Sequence, residues 1–384
     1  MEEKAAGRQA CACWRDMEMW GDDEEWLHLL ALTFVPGIGS KTGRNLLEHY
    51  GSAARVFKAP LKELKMVEGV GDAKVRGFKD TQIMKRADEE LRFIVKNDIR
   101  LLRYGDVRRL TNCTDAPFLL YYKGTADVNA AKTVAIVGTR KNTEYGHRLC
   151  EELIEGLRGM EQVLIVSGLA LGIDAVAHKK ALAVGVPTIG VLGHGLSRIY
   201  PHTHKMLAGQ MVEHGGLLTE FSKDTAPDRT NFPMRNRIVA GMCDVTVVVE
   251  SNLAGGALIT AHLANGYNRE VAAYPGRVND SRSAGCNELI RTNTATMITK
   301  AEDLIDLMQW NTSKKTRPVQ KQLFVELNET EKVVIDLLQA ADSLHTDDLL
   351  FKTGLISSQL AATLLQLEMM GLVTLLPGKH YRMS

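Results

Sequence analysis

The residues of this chain best suited to chemistry gather in one short run, Asn231-Phe232-Pro233-Met234-Arg235-Asn236-Arg237, with Arg229 just ahead of it. Three guanidinium groups around one aromatic ring are what a single strand of nucleic acid requires. The cations bind phosphates, and the ring offers a stacking face worth about 1–3 kcal/mol per base. Because Phe232 precedes a proline, the backbone there is expected to be extended. The competing placement puts Phe232 in a core and the arginines on a solvated face, and composition does not choose between them.

Three further runs place small residues where a strand hands over to a helix. They are Gly138-Thr139-Arg140, the stretch from Ser167-Gly168 to Gly172-Ile173-Asp174, and Gly255-Gly256. Such turns offer backbone amides and a helix dipole to an anion, and Arg140 adds a planar fork suited to phosphate. None has the G-x-G-x-x-G form, so a dinucleotide is not expected, nor any other cofactor. Several cradles on one sheet edge describe a continuous phosphate-binding face rather than a single nucleotide pocket. Asp174 and His178 stand four apart, as a catalytic pair or two metal ligands could. No third ligand or nucleophile accompanies them, so a capping aspartate and a structural histidine are expected. His194, His202 and His204 lack the Cys/His spacing of a metal site, and no metal is expected.

These turns need a frame. From Thr133 onward, short β-rich runs at 134–137, 163–166, 187–192, 217–219, 245–249, 271–274 and 296–298 alternate with helical stretches. Near-continuous apolar strands between helices predict a mostly parallel, doubly wound, Rossmann-like α/β sheet covered on both faces, over 125–310. Residues 25–110 read as all-helical, within a helical domain ending at 124 that 117–122 leave as a short strand. The first 24 residues show no periodicity and read as a flexible extension. Residues 311–322, polar and basic with Pro318, read as a linker. In 323–384, Asn328 and Glu331 have capping-box spacing. Three helices and a hairpin at 372–375 and 380–383 predict a winged helix.

The chain has 384 residues and a net charge of +1, which at first argues against nucleic acid. Counted by region, the charge is −5 over 1–30, +7 over 31–124, +2 over 132–302 and −4 over 323–384. Fields act within about 8 Å in physiological salt, so the regional figures matter more than the total. No apolar run suits a membrane helix, and the acidic start lacks a signal-peptide core, so a cytoplasmic protein is expected. The acidic winged helix, whose recognition helix carries Gln359 and Glu368 but no cation, is expected to serve protein contact or helix packing rather than duplex binding.

Val35-Pro36-Gly37-Ile38-Gly39 recurs 32 residues on as Val67-Glu68-Gly69-Val70-Gly71. The pair resembles the tandem helix-hairpin-helix motifs of DNA-binding proteins, with Lys41, Arg44, Lys74 and Arg76 just after the hairpins. Such hairpins also serve merely to pack helices, and packing is the stronger reading.

In order, V-A-I-V-G-T-R at 134–140, S-G-L-A-L-G-I-D-A-V-A-H at 167–178, Tyr200-Pro201, F-P-M-R-N-R at 232–237, G-G-A-L-I-T-A at 255–261, Pro275-Gly276 and G-C-N-E-L-I at 285–290 resemble the DprA/Smf (DNA-processing protein A) family. The resemblance is strong over about 133–304. The flanking regions fit a sterile-alpha-motif-like or helix-hairpin-helix domain and a winged helix. It implies a non-enzymatic binder of single-stranded DNA that protects incoming strands and loads RecA during natural transformation. Its partners would be RecA, single-strand binding protein and a second copy of the chain. The implied DNA contacts are Arg140, Phe232, Arg235 and Arg237. Lys205 and Arg229 lie near family contact positions, and Gly138, Thr139, Ser167, Gly168, Asn236, Gly255 and Gly256 supply the cradles. The rival reading is a phosphoribohydrolase of the lysine-decarboxylase-like type, with Glu250 assisting glycosidic cleavage. The chain lacks that family's P-G-G-x-G-T-x-x-E motif.

Overall fold

The computed structural model describes residues 23–310 and 327–384, in two compact units that divide after Asp98. The expected extension, apart from its last two residues, and the expected linker lie outside the described residues, as do residues 323–326.

The first unit is helical. Helix α1 (Asp23–Phe34) packs along α6 (Gln82–Lys96), and Leu29 and Leu30 of the first and Ile83 and Ile94 of the second are buried. Between them run α2 (Ser40–Tyr50), α3 (Ala53–Lys58), α4 (Leu61–Leu64) and α5 (Asp72–Gly77). The two repeated motifs are the hairpins before α2 and α5, with Gly37 at φ +79° and Gly69 at φ +85°. They face each other reciprocally: Gly37 lies against the Lys74 stem, and Gly69 against Thr42, the counterpart of Lys74 in the other motif. Buried Glu25 accepts the opening amides of α3 from Ala53 (2.6 Å) and Ala54 (3.0 Å).

The second unit contains a nine-stranded sheet in the order β1-β2-β6-β5-β4-β3-β7-β8-β9. Its strands are β1 (Arg100–Arg103), β2 (Leu119–Gly124), β3 (Lys132–Val137), β4 (Val163–Ser167), β5 (Thr188–Val191), β6 (Gly215–Thr219), β7 (Val245–Val248), β8 (Glu270–Ala273) and β9 (Thr296–Met297). Strands β3 to β9 run parallel, and β2 and β1 add on antiparallel beyond β6. The period of two sends Ala135, Val137, Leu164 and Val166 into one core layer and Val134, Ile136, Ile165 and Val245 into the other. Helices α7 (Glu144–Leu157) and α8 (Ile173–Val184) cover the second face, while α10 (Asn231–Gly241) and α11 (Gly256–Gly266) cover the first; α9 (Lys205–His214) packs beside β6. This is the doubly wound α/β fold the apolar runs predict.

One element differs. Residues 100–103 are an edge strand, not helix, registered Arg100↔Tyr122 through Arg103↔Leu119. The sheet therefore takes in residues assigned to the helical domain, whose compact unit ends at Asp98. The +7 of 31–124 divides accordingly, +4 before residue 99 and +3 after it.

Beyond α12 (Ala284–Arg291) and α13 (Ala301–Leu307), the chain resumes as a winged helix. It comprises α14 (Glu329–Gln339), α15 (Thr346–Thr353), α16 (Ser357–Met369) and a three-stranded sheet of β10 (Leu344–His345), β11 (Val373–Leu376) and β12 (His380–Met383). The capping box is formed, Asn328 Oδ1 accepting from Glu331 N and Glu331 Oε2 from Asn328 N, both at 2.8 Å.

The winged helix packs on the amino edge of the large sheet through buried charge. Asp244 accepts from Arg109 Nε (2.7 Å) and Nη2 (3.1 Å) and from the amide and hydroxyl of Thr133 (2.9 and 3.0 Å). Arg269 reaches His345 Nε2 (2.9 Å) and Asp347 Oδ2 (3.2 Å), while Arg108 pairs with Asp348 at 2.7 Å and covers the Phe351 ring. Two of the acidic side chains expected to repel a duplex are thus engaged by arginines of the sheet domain. Asp244, His345 and His380 converge as metal ligands could, but the Asp244 oxygens are filled by Arg109 and Thr133.

Candidate nucleic-acid interface

Strand β3 sits at the middle of the parallel sheet, with β4 following on one side and β7 on the other. Loops diverge at the carboxyl ends of such neighbours and leave a crevice. Here it is a cleft of about 620 Å³ lined by the turns after β3 and β4, the first turn of α10 and the N-terminus of α11.

Gly138, Thr139 and Arg140 form one wall. The turn is fixed by Thr139 N donating to Glu250 O (2.7 Å) and Ile173 N donating to Thr139 O (3.2 Å). From it the exposed Arg140 extends its guanidinium 5.3 Å from the centre of the Phe232 ring, and the Tyr200 ring lies 6.0 Å from that of Phe232, tilted by 31°. Tyr200 is 48% exposed, so this cluster of one cation and two rings is open to solvent at Tyr200. Gly255 and Gly256 stand opposite, where α11 opens onto the cleft, and Arg229 and Asn236 complete the rim.

Residues 231–237 are not extended. They begin α10, with Pro233 in its first turn, where a missing N–H costs nothing. The two arginines therefore diverge, because residues two apart on a helix point about 200° apart, whereas on a strand they share a face. Arg235 turns in to the cleft floor at 4% exposure, its Nη1 donating to the carbonyls of Gly168 and Val191. Arg237 turns the other way, pairs with Glu220, donates to Asp115 O and does not line the cleft. Neither has the solvated placement that composition left open.

Burial lowers the Arg235 pKa to about 10, with Asp174 opposing the shift and Arg140 adding to it. Asp174 behind it is raised by burial, against the pull of Arg235. Its Oδ2 accepts from Gly168 N (3.1 Å) and Ala170 N (3.3 Å), so the Gly168 amide is engaged within the protein. Ser167 is buried, its hydroxyl on Ile136 O at 2.6 Å, and Lys205, exposed at the start of α9, does not line the cleft. Glu250, the acid of the rival enzymatic reading, is 2% exposed and accepts from the Thr143 amide (2.8 Å) and hydroxyl (2.7 Å). Tyr200 stands out in the sequence only as part of a motif. The signal it carries is an aromatic beside the carboxyl-end loops.

Asp174 and His178 do not act as a pair: Asp174 caps the turn, and His178 Nδ1 lies 2.7 Å from Thr188 Oγ1. Burial pushes His178 down to about 3, with His204 and Arg235 adding to the shift. The unfolded imidazole titrates near about 6.5, so between these values the unfolded state binds more protons. The stability held by neutral His178 is complete above that upper value and declines as pH falls through the window. The decline is up to about 1.4 kcal/mol per pH unit. His178→Asn should flatten the pH dependence of the urea midpoint between about pH 6 and 4. Equal slopes in parent and variant would contradict the buried neutral state.

The family model described as DNA recombination-mediator protein A matches residues 103–309. The DprA winged helix domain matches 320–379, and the SAM-like helix-hairpin-helix tandem matches 29–77. Protein Smf of Synechocystis sp. is 30% identical over 396 residues, covering 94% of this chain and 99% of that protein. The X-ray structure of DNA processing protein A from Streptococcus pneumoniae aligns at TM-score 0.63 and 30% identity, covering 73% of this chain and 96% of that one. DNA processing protein A from Helicobacter pylori, whose structure is described as giving insight into a unique single-stranded DNA binding mode, aligns at TM-score 0.51 and 30% identity over 55% and 96% of the two chains. With one family model spanning more than half of the sequence and a relative matched along nearly its whole length, the chain belongs to the DNA recombination-mediator protein A (DprA/Smf) family.

Proposed function

We propose that the cleft binds single-stranded DNA without sequence preference and that the protein is a recombination mediator rather than a catalyst. The observation that carries this reading is the cluster of Arg140, Phe232 and Tyr200 beside a helix N-terminus, which joins a phosphate anchor to aromatic rings on which a base could stack. The single-strand binding described for the Helicobacter pylori relative supports it. Arg140, Arg229, Asn236 and the amides near Gly255 and Gly256 engage the backbone. Buried Arg235 contributes its charge from the floor and holds the turn at Gly168. Arg237 and Ser167 support the fold around the cleft. RecA, single-strand binding protein and a second copy of this chain are the protein partners in this reading, with the strand delivered to RecA during natural transformation.

Fluorescence anisotropy with a labelled oligothymidine, repeated across salt, tests the site. Arg140→Ala and Phe232→Ala should each raise Kd about tenfold, within the range expected when one stacking face or one phosphate anchor is removed. Arg140→Ala should also flatten the dependence of log K on log salt, since fewer counterions are released. Unchanged affinity in both variants would remove the cleft as the strand site.

A further inference from the structure

A cleft of about 620 Å³ is of the size that holds a small molecule, so a strand seated against Phe232 has to leave it. One way out passes Tyr200. The other crosses the carboxyl ends of β3, β7 and β8, where the loop 274–283 leads from β8 to α12.

That loop is tied to the cleft wall. Gly285 N donates to Ser251 O (2.8 Å), and Ser251 lines the cleft. Asn287 clamps the start of the loop, exchanging two hydrogen bonds of 3.1 Å with Gly276. From the other side Tyr145, in the first turn of α7, donates its hydroxyl to Pro275 O (3.0 Å), while the residue stays 42% exposed. Lys141 follows Arg140 directly and stands four residues before Tyr145. Between these ties residues 277–280 form a turn closed by Asp280 N donating to Arg277 O (3.0 Å).

Lys141, Arg277 and Arg282 are exposed and in no ion pair among the described residues, whereas Arg148 and Arg291 are matched by Glu152 (3.5 Å) and Glu288 (2.6 Å). The acids that accompany the three are Glu144, exposed at the opening of α7, and Asp280, whose Oδ1 accepts the Arg282 amide (2.9 Å). Cation is in excess on this edge, and it surrounds an exposed aromatic residue.

We propose that the loop after β8 and the start of α7 form a second subsite for the same single strand, taking the nucleotides that leave the cleft across the carboxyl edge. The proposal rests on the cleft being the strand site. Cations beside an exposed ring are what an unpaired strand needs, since phosphates meet the charge and a base meets the ring. Arg277 and Arg282 bind phosphates, Lys141 bridges the two subsites, and Tyr145 stacks on a base.

The test titrates the full chain with labelled oligothymidines of about 4 and about 20 nucleotides across a salt series. Arg277→Gln combined with Arg282→Gln should raise the Kd of the longer strand about tenfold. Its slope of log K against log salt should fall by about 1.4, two phosphates at about 0.7 each. The shorter strand, held within the cleft, should stay within about twofold of the parent. Tyr145→Ala should weaken the longer strand about tenfold, and Tyr145→Phe, which keeps the ring but not the hydrogen bond to Pro275, should restore most of that loss. Unchanged affinity and slope for the longer strand in the double variant would overturn the proposal. So would an equal loss on both lengths, which would place the two arginines in the cleft. A loss in Tyr145→Phe as large as in Tyr145→Ala would overturn the stacking role and leave the tyrosine a support for the loop. Failure of the cleft itself has a separate sign, Arg140→Ala binding both lengths as the parent does. The substituted side chains are exposed, and an unchanged Tm confirms that affinity rather than folding is read.

Discussion

Replacing Asp244 by alanine should lower the unfolding free energy by about 3–5 kcal/mol, seen as a shift of the urea midpoint at neutral pH. Asp244 is fully buried, and burial alone would raise its pKa. Arg109 overrides this, with His380 and His345 adding, and holds the carboxyl well below the usual range. A depressed carboxylate contributes stability that is present above about pH 3.9 and lost only as pH falls below it, so at neutral pH the contribution is complete. The alanine variant leaves the Arg109 guanidinium, 4% exposed, without its counter-charge. An uncompensated buried charge costs more than the pair contributes. Arg109→Leu combined with Asp244→Leu should therefore lose less than Asp244→Ala alone. A loss below about 1 kcal/mol in Asp244→Ala would show that the pair is dispensable to the fold.

Gly172→Ala should weaken oligothymidine binding by about 10- to 100-fold, although Gly172 offers no side chain to a ligand. Gly172 has φ +80° and ψ −132°, a conformation costly for residues with a Cβ. An added Cβ would meet the Thr139 carbonyl oxygen and stand 2.7 Å from Arg140 Cα. These are backbone atoms, so the turn carrying Arg140 must move, and the guanidinium leaves its place over Phe232. The variant should also lose about 1–3 kcal/mol of stability from strain. Anisotropy and Tm read the two effects separately. Full affinity with lowered Tm would show that the position of the Arg140 turn does not govern strand binding.

The doubly wound sheet was legible because its strands are buried on both faces and so read as nearly unbroken apolar runs. The winged helix was legible from local chemistry, the Asn328–Glu331 box and the hairpin residues. Strand β1 was not. Four residues, Arg100 to Arg103, beginning soon after a helix that ends at Lys96, are too few to show a period of two, and their extended form depends on pairing with β2, further along the chain. The site was legible in its parts, since Arg140, Phe232, Gly255 and Gly256 come together as the turns implied. The direction of Arg235 and Arg237 was not, because it depends on whether 231–237 is strand or helix. The backbone settles this through the packing of α10 on the sheet.

The arginines at the amino edge, Arg109 and Arg269 buried and Arg108 partly so, also bear on how freely this family's modules can be exchanged. Arg108 and Arg109 lie between β1 and β2, Arg269 just before β8, and their carboxylate and histidine partners are divided between the sheet and the winged helix. A relative's winged helix grafted here would have to bring carboxylates matching Asp347 and Asp348, or leave guanidinium groups unmatched at a newly formed seam. A cut at residue 124 would remove Arg109 and leave Asp244 stranded within the sheet domain, whereas a cut after Asp98 would spare both. The chain is written as three modules, but its last two share one set of charges and would have to be transplanted together.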